Sequence, residues 1–126
     1  MKHVNTGDCP LCNEKLKDAH PRLRAFWKPF QAEHKDAHIS WTFRGEADQN
    51  DAVRRGTSSL KWPLSKHNKR PSLALDAFRL LPTGADWGHK WYNEVFGPAV
   101  EAFGLKWGGR FKRPDRPHCE LLGDGE

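Results

Sequence analysis

Two stretches of this 126-residue chain hold most of the side chains that can do chemistry. Residues 65–76 read S-K-H-N-K-R-P-S-L-A-L-D, and residues 115–121 read D-R-P-H-C-E-L. His67 falls on a loop, Asp76 in the strand expected after it, and His118 at the opening of a terminal strand just past Pro117. Two imidazoles and one carboxylate on such elements can hold a tetrahedral Zn²⁺ and leave its fourth position open, as a hydrolytic zinc site requires. Asp115, three residues before His118, can take the proton that a metal-activated water gives up. Each piece alone has a plainer reading, since a loop histidine is commonly solvated and a strand aspartate can end a turn.

Three cysteines complete the inventory of ligand types. Cys9 and Cys12 form C-P-L-C, half of a zinc-knuckle pattern, with no second C-x-x-C to complete it. His3 and His20 are available to finish a Cys₂His₂ set, but their spacing matches no standard finger, so an N-terminal turn with reduced cysteines is expected. Cys119 directly follows His118, and successive strand residues face opposite sides, so Cys119 should point into the core. The six tryptophans are mainly core candidates. Trp62, on the loop before Ser65, is the one expected to line a substrate groove.

The elements that must position these groups can be traced from periodicity. Leu23, Phe26, Trp27 and Phe30 recur at helical spacing within 21–34, with Pro21 suited to the first turn and Pro29 to a kink or early end. Residues 38–43 alternate, with Ile39, Trp41 and Phe43 on the buried face, and Arg44 follows at the strand's exit. Residues 45–55 read as a short helix stopped by Gly56. Residues 57–72 form a long basic loop, and 73–81 a buried strand. Residues 87–103 read as a helix interrupted at Gly97 and Pro98, with Asp86 as its cap candidate and Gly104 as its stop. Residues 105–107 and 117–121 suggest a closing hairpin or a pair of short strands. This order predicts a small α+β domain, a mainly antiparallel sheet flanked by helices, with the metal site at the sheet and the adjoining loop.

Size and composition narrow the classes. The length is that of one domain, expected to span 1–126 with residues 1–20 as an extension carrying the C-x-x-C and no separate wall-binding domain. No apolar run approaches the roughly 20 residues of a membrane span, no h-region of a signal peptide is present, and stable membrane insertion is not expected. There is no glycine-rich phosphate loop and no G-x-S-x-G elbow. Lys and Arg number 21 against 16 Asp and Glu, so the net charge of +5 favours anionic partners without choosing among them.

The ordered set Ser65, His67, Ala74, Asp76, Asp115, Pro117, His118, Glu120 and Leu121 resembles the zinc peptidase family of the D-alanyl-D-alanine carboxypeptidases and phage L-alanyl-D-glutamate endopeptidases. The family shows S-x-H, a spacer, A-x-D, and finally D-x-P-H followed by E-L. The segment 42–50 (T-F-R-G-E-A-D-Q-N), the Gly56-Thr57 turn and G-L-K-W-G-G at 104–109 are similar to further family segments, so the likeness covers roughly residues 20–122. Two departures stand out: the spacer between His67 and Asp76 is longer and lacks the usual Gly, and Cys119 occupies a position where an aromatic is common.

The resemblance implies one catalytic Zn²⁺ on His67, Asp76 and His118, with Asp115 as general base and then acid. Arg44 would stabilise the oxyanion, while Ser65 and Gln49 would bind substrate or orient groups by hydrogen bonds. The implied activity is hydrolysis of a peptidoglycan stem amide by metal-activated water, first L-alanyl-D-glutamate, with D-alanyl-D-alanine carboxypeptidase as the alternative. A phage endolysin is the implied context: a monomer made in the host cytoplasm, acting on the wall and its anionic envelope after the membrane is permeabilised. A non-catalytic basic module binding zinc or nucleic acid is the rival of another class; the endolysin reading needs no nucleic-acid partner.

Overall fold

The computed structural model describes residues 1–123. Five strands, β1 (Ala37–Trp41), β2 (Ala74–Leu81), β3 (Gly84–Asp86), β4 (Lys106–Trp107) and β5 (His118–Glu120), form one antiparallel sheet. The order is β1-β2-β5-β4. Asp76 pairs with both Trp41 and His118, and Arg79 with both Ala37 and Asp86, so β1 takes one edge of β2 while β5 and β3 share the other. The expected α+β class with an antiparallel sheet is what the chain forms, and β4 with β5 is the closing pair. The β2–β3 hairpin was not expected. Asp86, anticipated as a helix cap, ends β3 and instead accepts the Gly88 N–H at 2.9 Å.

Helix α1 (Pro10–Leu16) replaces the turn expected around the cysteines. Seven residues are too few to show a period and too few to be stable alone, so packing decides this element. It covers the open edge of β1: the Ile39 N–H donates to Cys12 Sγ at 3.3 Å, and the Thr42 hydroxyl donates to the Lys15 carbonyl at 2.6 Å. A covered edge cannot pair with another chain.

Helix α2 (Pro21–Glu33) buries Leu23, Phe26, Trp27 and Phe30, the stripe its spacing predicts. Each such side chain contributes about 1.5–3 kcal/mol relative to exposure. Pro29 does not end the helix, which continues to Glu33. Pro29 and Ala25 both lie on the exposed face, so water reaches the Ala25 carbonyl that the proline leaves without a partner. Helix α3 (Glu46–Arg54) is followed by Gly56 at φ 78°, a left-handed stop.

Helix α4 spans 89–103 and contains a π-turn at Tyr92–Phe96, just before Gly97 and Pro98. The π-turn absorbs the hydrogen bond that Pro98 cannot donate, so the helix bends its ladder rather than breaking. A Cβ on Gly97 would sit 2.7 Å from the Trp107 indole, so only glycine lets α4 pass this close to β4. Trp91, Tyr92, Phe96 and Val100 of α4 join the α2 stripe, Ile39, Leu75, Ala77, Trp107 and Cys119 in one core. Among the described residues no helix is long and apolar enough to cross a membrane.

The expected alternation of β1 holds only to Ile39. The register slips by one residue between Ile39 and Trp41, which pair with Ala77 and Asp76. One inserted residue flips every side chain beyond it to the other face. Trp41 therefore leaves the core, Phe43 is only half-buried, and Thr42, expected on the polar face, is buried; His38, before the slip, is buried for another reason, since its ring packs against His3 of the N-terminal arm and Phe78.

Candidate active site

Asp76 and His118 are directly opposed in the β2–β5 register, so their side chains stand on one face of the sheet. Leu75 and Cys119, the neighbouring pair, face the core, and Cys119 is fully buried there as the two-residue period predicts. His67 comes from the loop. Ser65 caps a single 3₁₀ turn, Lys66–Asn68: its hydroxyl accepts the His67 N–H at 3.2 Å, and Asn68 Oδ1 accepts the Ser65 N–H at 3.1 Å. The turn is tied to the exit of β1 through the Arg44 N–H, which donates to the His67 carbonyl at 2.8 Å.

These three side chains converge. His67 Nε2 and His118 Nδ1 each lie 3.1 Å from Asp76 Oδ1. The other nitrogen of each ring is already engaged, His67 Nδ1 with the Thr42 carbonyl at 2.7 Å and His118 Nε2 with Glu120 Oε1 at 2.8 Å. Those outer acceptors require N–H donors, which leaves the inner nitrogens with lone pairs aimed at a carboxylate oxygen that can itself only accept. Three acceptors directed at one point form a ligand set for a cation, and the outer bonds are the supports metal-binding histidines ordinarily have. His67, Asp76 and His118 thus make a candidate metal site whose ligand atoms all fall within 4.8 Å of one another.

Charge without an ion is consistent with this fit. Burial alone would raise the Asp76 carboxyl, but the two facing imidazoles outweigh it and hold it far below the usual carboxylate range. Burial would likewise depress His118, yet hydrogen bonds to Asp76 and Glu120 raise it to about 10. The set attracts positive charge, as a ligand set for a cation must. Glu120 is in turn held by Lys66 Nζ at 2.9 Å.

Arg44 sits beside the set. Its guanidinium lies 4.8 Å from the Trp41 ring centroid, donates to Gln49 Oε1 at 3.2 Å and reaches Asp76 Oδ2 at 3.4 Å. Its Nε is buried with no hydrogen-bond partner among the described residues. Asp115 stands on the rim of the same cleft, its backbone N–H donating to the Gly108 carbonyl at 2.8 Å and its carbonyl accepting the His118 N–H at 3.2 Å. Asp115 is exposed at that rim, yet desolvation by the cleft walls and the nearby Asp76 charge push its carboxyl above the ordinary value, against the pull of His118, His67 and Arg44. The cleft is about 880 Å³, within the usual range for a ligand site, and is walled by Trp41, Trp87 and Phe111 with Arg55 and Arg113 at its rim.

Two expected substrate contacts lie elsewhere. Gln49 is completely buried, and its amide serves Arg44, Asn68, Ser58 and the Leu60 carbonyl rather than the cleft. Trp62 is half-buried and does not line the cleft; Trp41 and Trp87 do. Ser65 does line it, but its hydroxyl is spent on the turn that presents His67. Glu120 received no role from the sequence, although two-residue spacing from His118 already puts both on one face.

A family model described as D-alanyl-D-alanine carboxypeptidase matches residues 59–121, half of the chain. The chain belongs to this peptidase family. The matched span of the peptidase contains Ser65, His67, Asp76, Asp115 and His118, while Arg44 and Gln49 precede it. The crystal structure of Serratia marcescens L-Ala D-Glu endopeptidase ChiX is similar to this peptidase with a TM-score of 0.70 and 26% identity, covering 88% of this chain and 86% of that one. Comparison with curated proteins gives no significant match. The protein is a metallopeptidase of a family that acts on cell-wall peptides.

Proposed function

We propose that this peptidase is a zinc-dependent peptidoglycan endopeptidase that hydrolyses the L-alanyl-D-glutamate bond of the peptide stem. The observation that carries the reading is the convergence of His67 Nε2, His118 Nδ1 and Asp76 Oδ1 on the cleft floor, with both outer ring nitrogens already engaged. A His₂Asp set suits Zn²⁺, which when bound supplies Lewis acidity and lowers the pKa of a coordinated water. Likeness to an L-Ala D-Glu endopeptidase along 88% of the chain supports that bond. The description of the matching family supports a second reading, release of terminal D-alanine.

In this proposal Asp115 takes a proton from the attacking water and delivers it to the leaving amine. Its place on the rim of the cleft, joined through its carbonyl to the His118 N–H, puts it beside the ligand set for that exchange. Arg44 donates to the carbonyl oxygen as it becomes negative, and its stacking on Trp41 and bond to Gln49 leave little to reorganise. Gln49 and Ser65 act at one remove, orienting Arg44 and His67. Arg55 and Arg113 bring positive charge to the carboxylates of the stem. The enzyme works as a monomeric endolysin, made in the host cytoplasm and reaching the wall once the membrane is opened; the net charge of +5 supports its approach to an anionic envelope.

Mass spectrometry of purified peptidoglycan digested with and without chelator, and again with zinc restored, tests the reaction. Chelator-sensitive fragments with a new D-glutamate N-terminus are expected. Release of D-alanine alone would establish the carboxypeptidase, and no cleavage by the metal-loaded protein would overturn both readings. Lysis of permeabilised but not intact cells is the outcome expected of an endolysin.

A further inference from the structure

The C-P-L-C motif plays no part in the cleft, yet the fold completes it. Cys9 and Cys12, at the start of α1, meet His3 from the N-terminal arm and His38 from β1, and the four ligand atoms all lie within 4.8 Å of one another. We propose that His3, Cys9, Cys12 and His38 form a second, structural Zn²⁺ site that clips the N-terminal arm and α1 to the edge of the sheet.

The spacing of donor atoms carries the argument. A tetrahedral centre with Zn–S of about 2.3 Å and Zn–N of about 2.0–2.1 Å puts sulfur and nitrogen about 3.6 Å apart. His3 Nδ1 lies 3.5 Å from Cys9 Sγ and 3.6 Å from Cys12 Sγ, and His38 Nδ1 lies 3.5 Å from Cys12 Sγ. The thiols are free rather than joined.

The surroundings match those of a ligand set. His38 Nε2 is 2.6 Å from Asn5 Oδ1, which accepts its N–H and leaves Nδ1 facing the cluster with a lone pair. Cys12 Sγ accepts the Ile39 N–H, and the Cys9 N–H is held by Gln31 Oε1 at 3.4 Å. Cys9, Cys12 and His38 are fully buried and His3 partly so. Two thiolates and two neutral imidazoles cancel the charge of Zn²⁺, so the loaded site can be buried without an unpaired ion.

The site also accounts for how the arm is held. Residues 1–8 form no helix or strand, and Met1 and Val4 are exposed. At its far end the arm is tied by Asp8, whose carboxylate accepts from Lys28 and Asn13; nearer the terminus it is attached through His3, against His38 and Phe78, and through Asn5, on His38 and the Leu80 carbonyl. The motif is completed by His38, twenty-six residues beyond Cys12, and not by His20, whose Nδ1 accepts the Arg22 N–H at the start of α2. Metal binding here stabilises the folded chain rather than the reaction.

Cobalt substitution of the full-length protein separates this site from the cleft, whose ligands include no sulfur. The Co²⁺ form should show a thiolate-to-cobalt charge-transfer band that persists in His118→Ala and disappears in Cys9→Ser/Cys12→Ser. Zinc-loaded wild type should hold two equivalents of metal by elemental analysis and each of these variants one, with the cysteine variant melting at lower temperature. Absence of the band in wild type overturns the proposal whether or not the variants fold, and so does a Cys9–Cys12 disulfide in protein purified under reducing conditions with zinc. Loss of the cleft metal alone would count against the proposed activity and leave this site standing.

Discussion

Replacing Gly108 by alanine tests the backbone that holds Asp115 and His118 together. Gly108 does not need a left-handed conformation, so alanine strains no dihedral there. It needs space. A Cβ at this position would overlap the Asp115 carbonyl oxygen and lie 2.9 Å from His118 Cβ and 3.1 Å from the His118 carbonyl. The nearest obstacles are main-chain atoms, and the Asp115 carbonyl would have to retreat by roughly 1 Å to reach ordinary contact. That retreat pulls on two hydrogen bonds, Asp115 N–H to Gly108 and His118 N–H to Asp115, which set the separation of the proposed base from a proposed ligand. Misplacement of about 1 Å costs on the order of 10²-fold in rate, equivalent to about 2.7 kcal/mol of transition-state stabilisation, and overpacking costs about 1–3 kcal/mol of stability. Gly108→Ala should therefore fold with a lowered melting temperature and lose about two orders of magnitude in kcat/KM on a stem-peptide substrate. Gly45→Ala, whose Cβ would meet only Phe43 at an ordinary 3.7 Å, is the control for added bulk: as the N-cap of α3 it should cost a little stability and leave kcat/KM near wild type. Wild-type kcat/KM in Gly108→Ala, with the substitution verified, would refute the assignment of Asp115 and His118 to one catalytic centre.

Three further outcomes follow from the same geometry. Asp115→Ala should keep fold and cleft metal while losing hydrolysis, and His118→Ala should lose the cleft metal itself; elemental analysis beside turnover distinguishes them, and full activity in Asp115→Ala would remove it as the base. Glu120→Gln removes the carboxylate behind His118 Nε2 and should weaken metal binding by roughly 10–100-fold in competition with a chelating dye. Asp86 is held below the usual carboxylate range by the Gly88 N–H and Arg79, so its stabilising contribution is present above the unfolded value of about 3.9 and fades as pH falls through its lower folded value. Asp86→Asn should accordingly lower the melting temperature at neutral pH, with the gap to wild type closing in acid.

Local pattern made several of these features readable. The S-x-H, A-x-D and D-x-P-H order brought out His67, Asp76, Asp115 and His118 through its resemblance to a known peptidase family, because each motif spans only a few consecutive residues and so survives in local sequence. The α2 stripe follows the helical period, and Cys119 faces the core because strand neighbours point apart. The seven-residue α1 left no such trace, since its stability depends on the edge of β1 that it covers.

What the sequence alone determined, then, is the α+β class and its longer elements, which rest on periods of two and 3.6, and, through ordered motifs shared with a known family, which side chains are chemically able to serve the cleft. Tertiary structure decided which way those side chains face and which residues support them. A single-residue slip in β1, invisible in composition, turned Trp41 from core to cleft wall beneath Arg44. Folding buried Gln49 behind Arg44, set Glu120 behind His118, and brought His38 rather than His20 to Cys9 and Cys12. These are contacts between segments tens of residues apart or outcomes of strand register, and they are selected by the packing of the whole chain rather than by any local repeat.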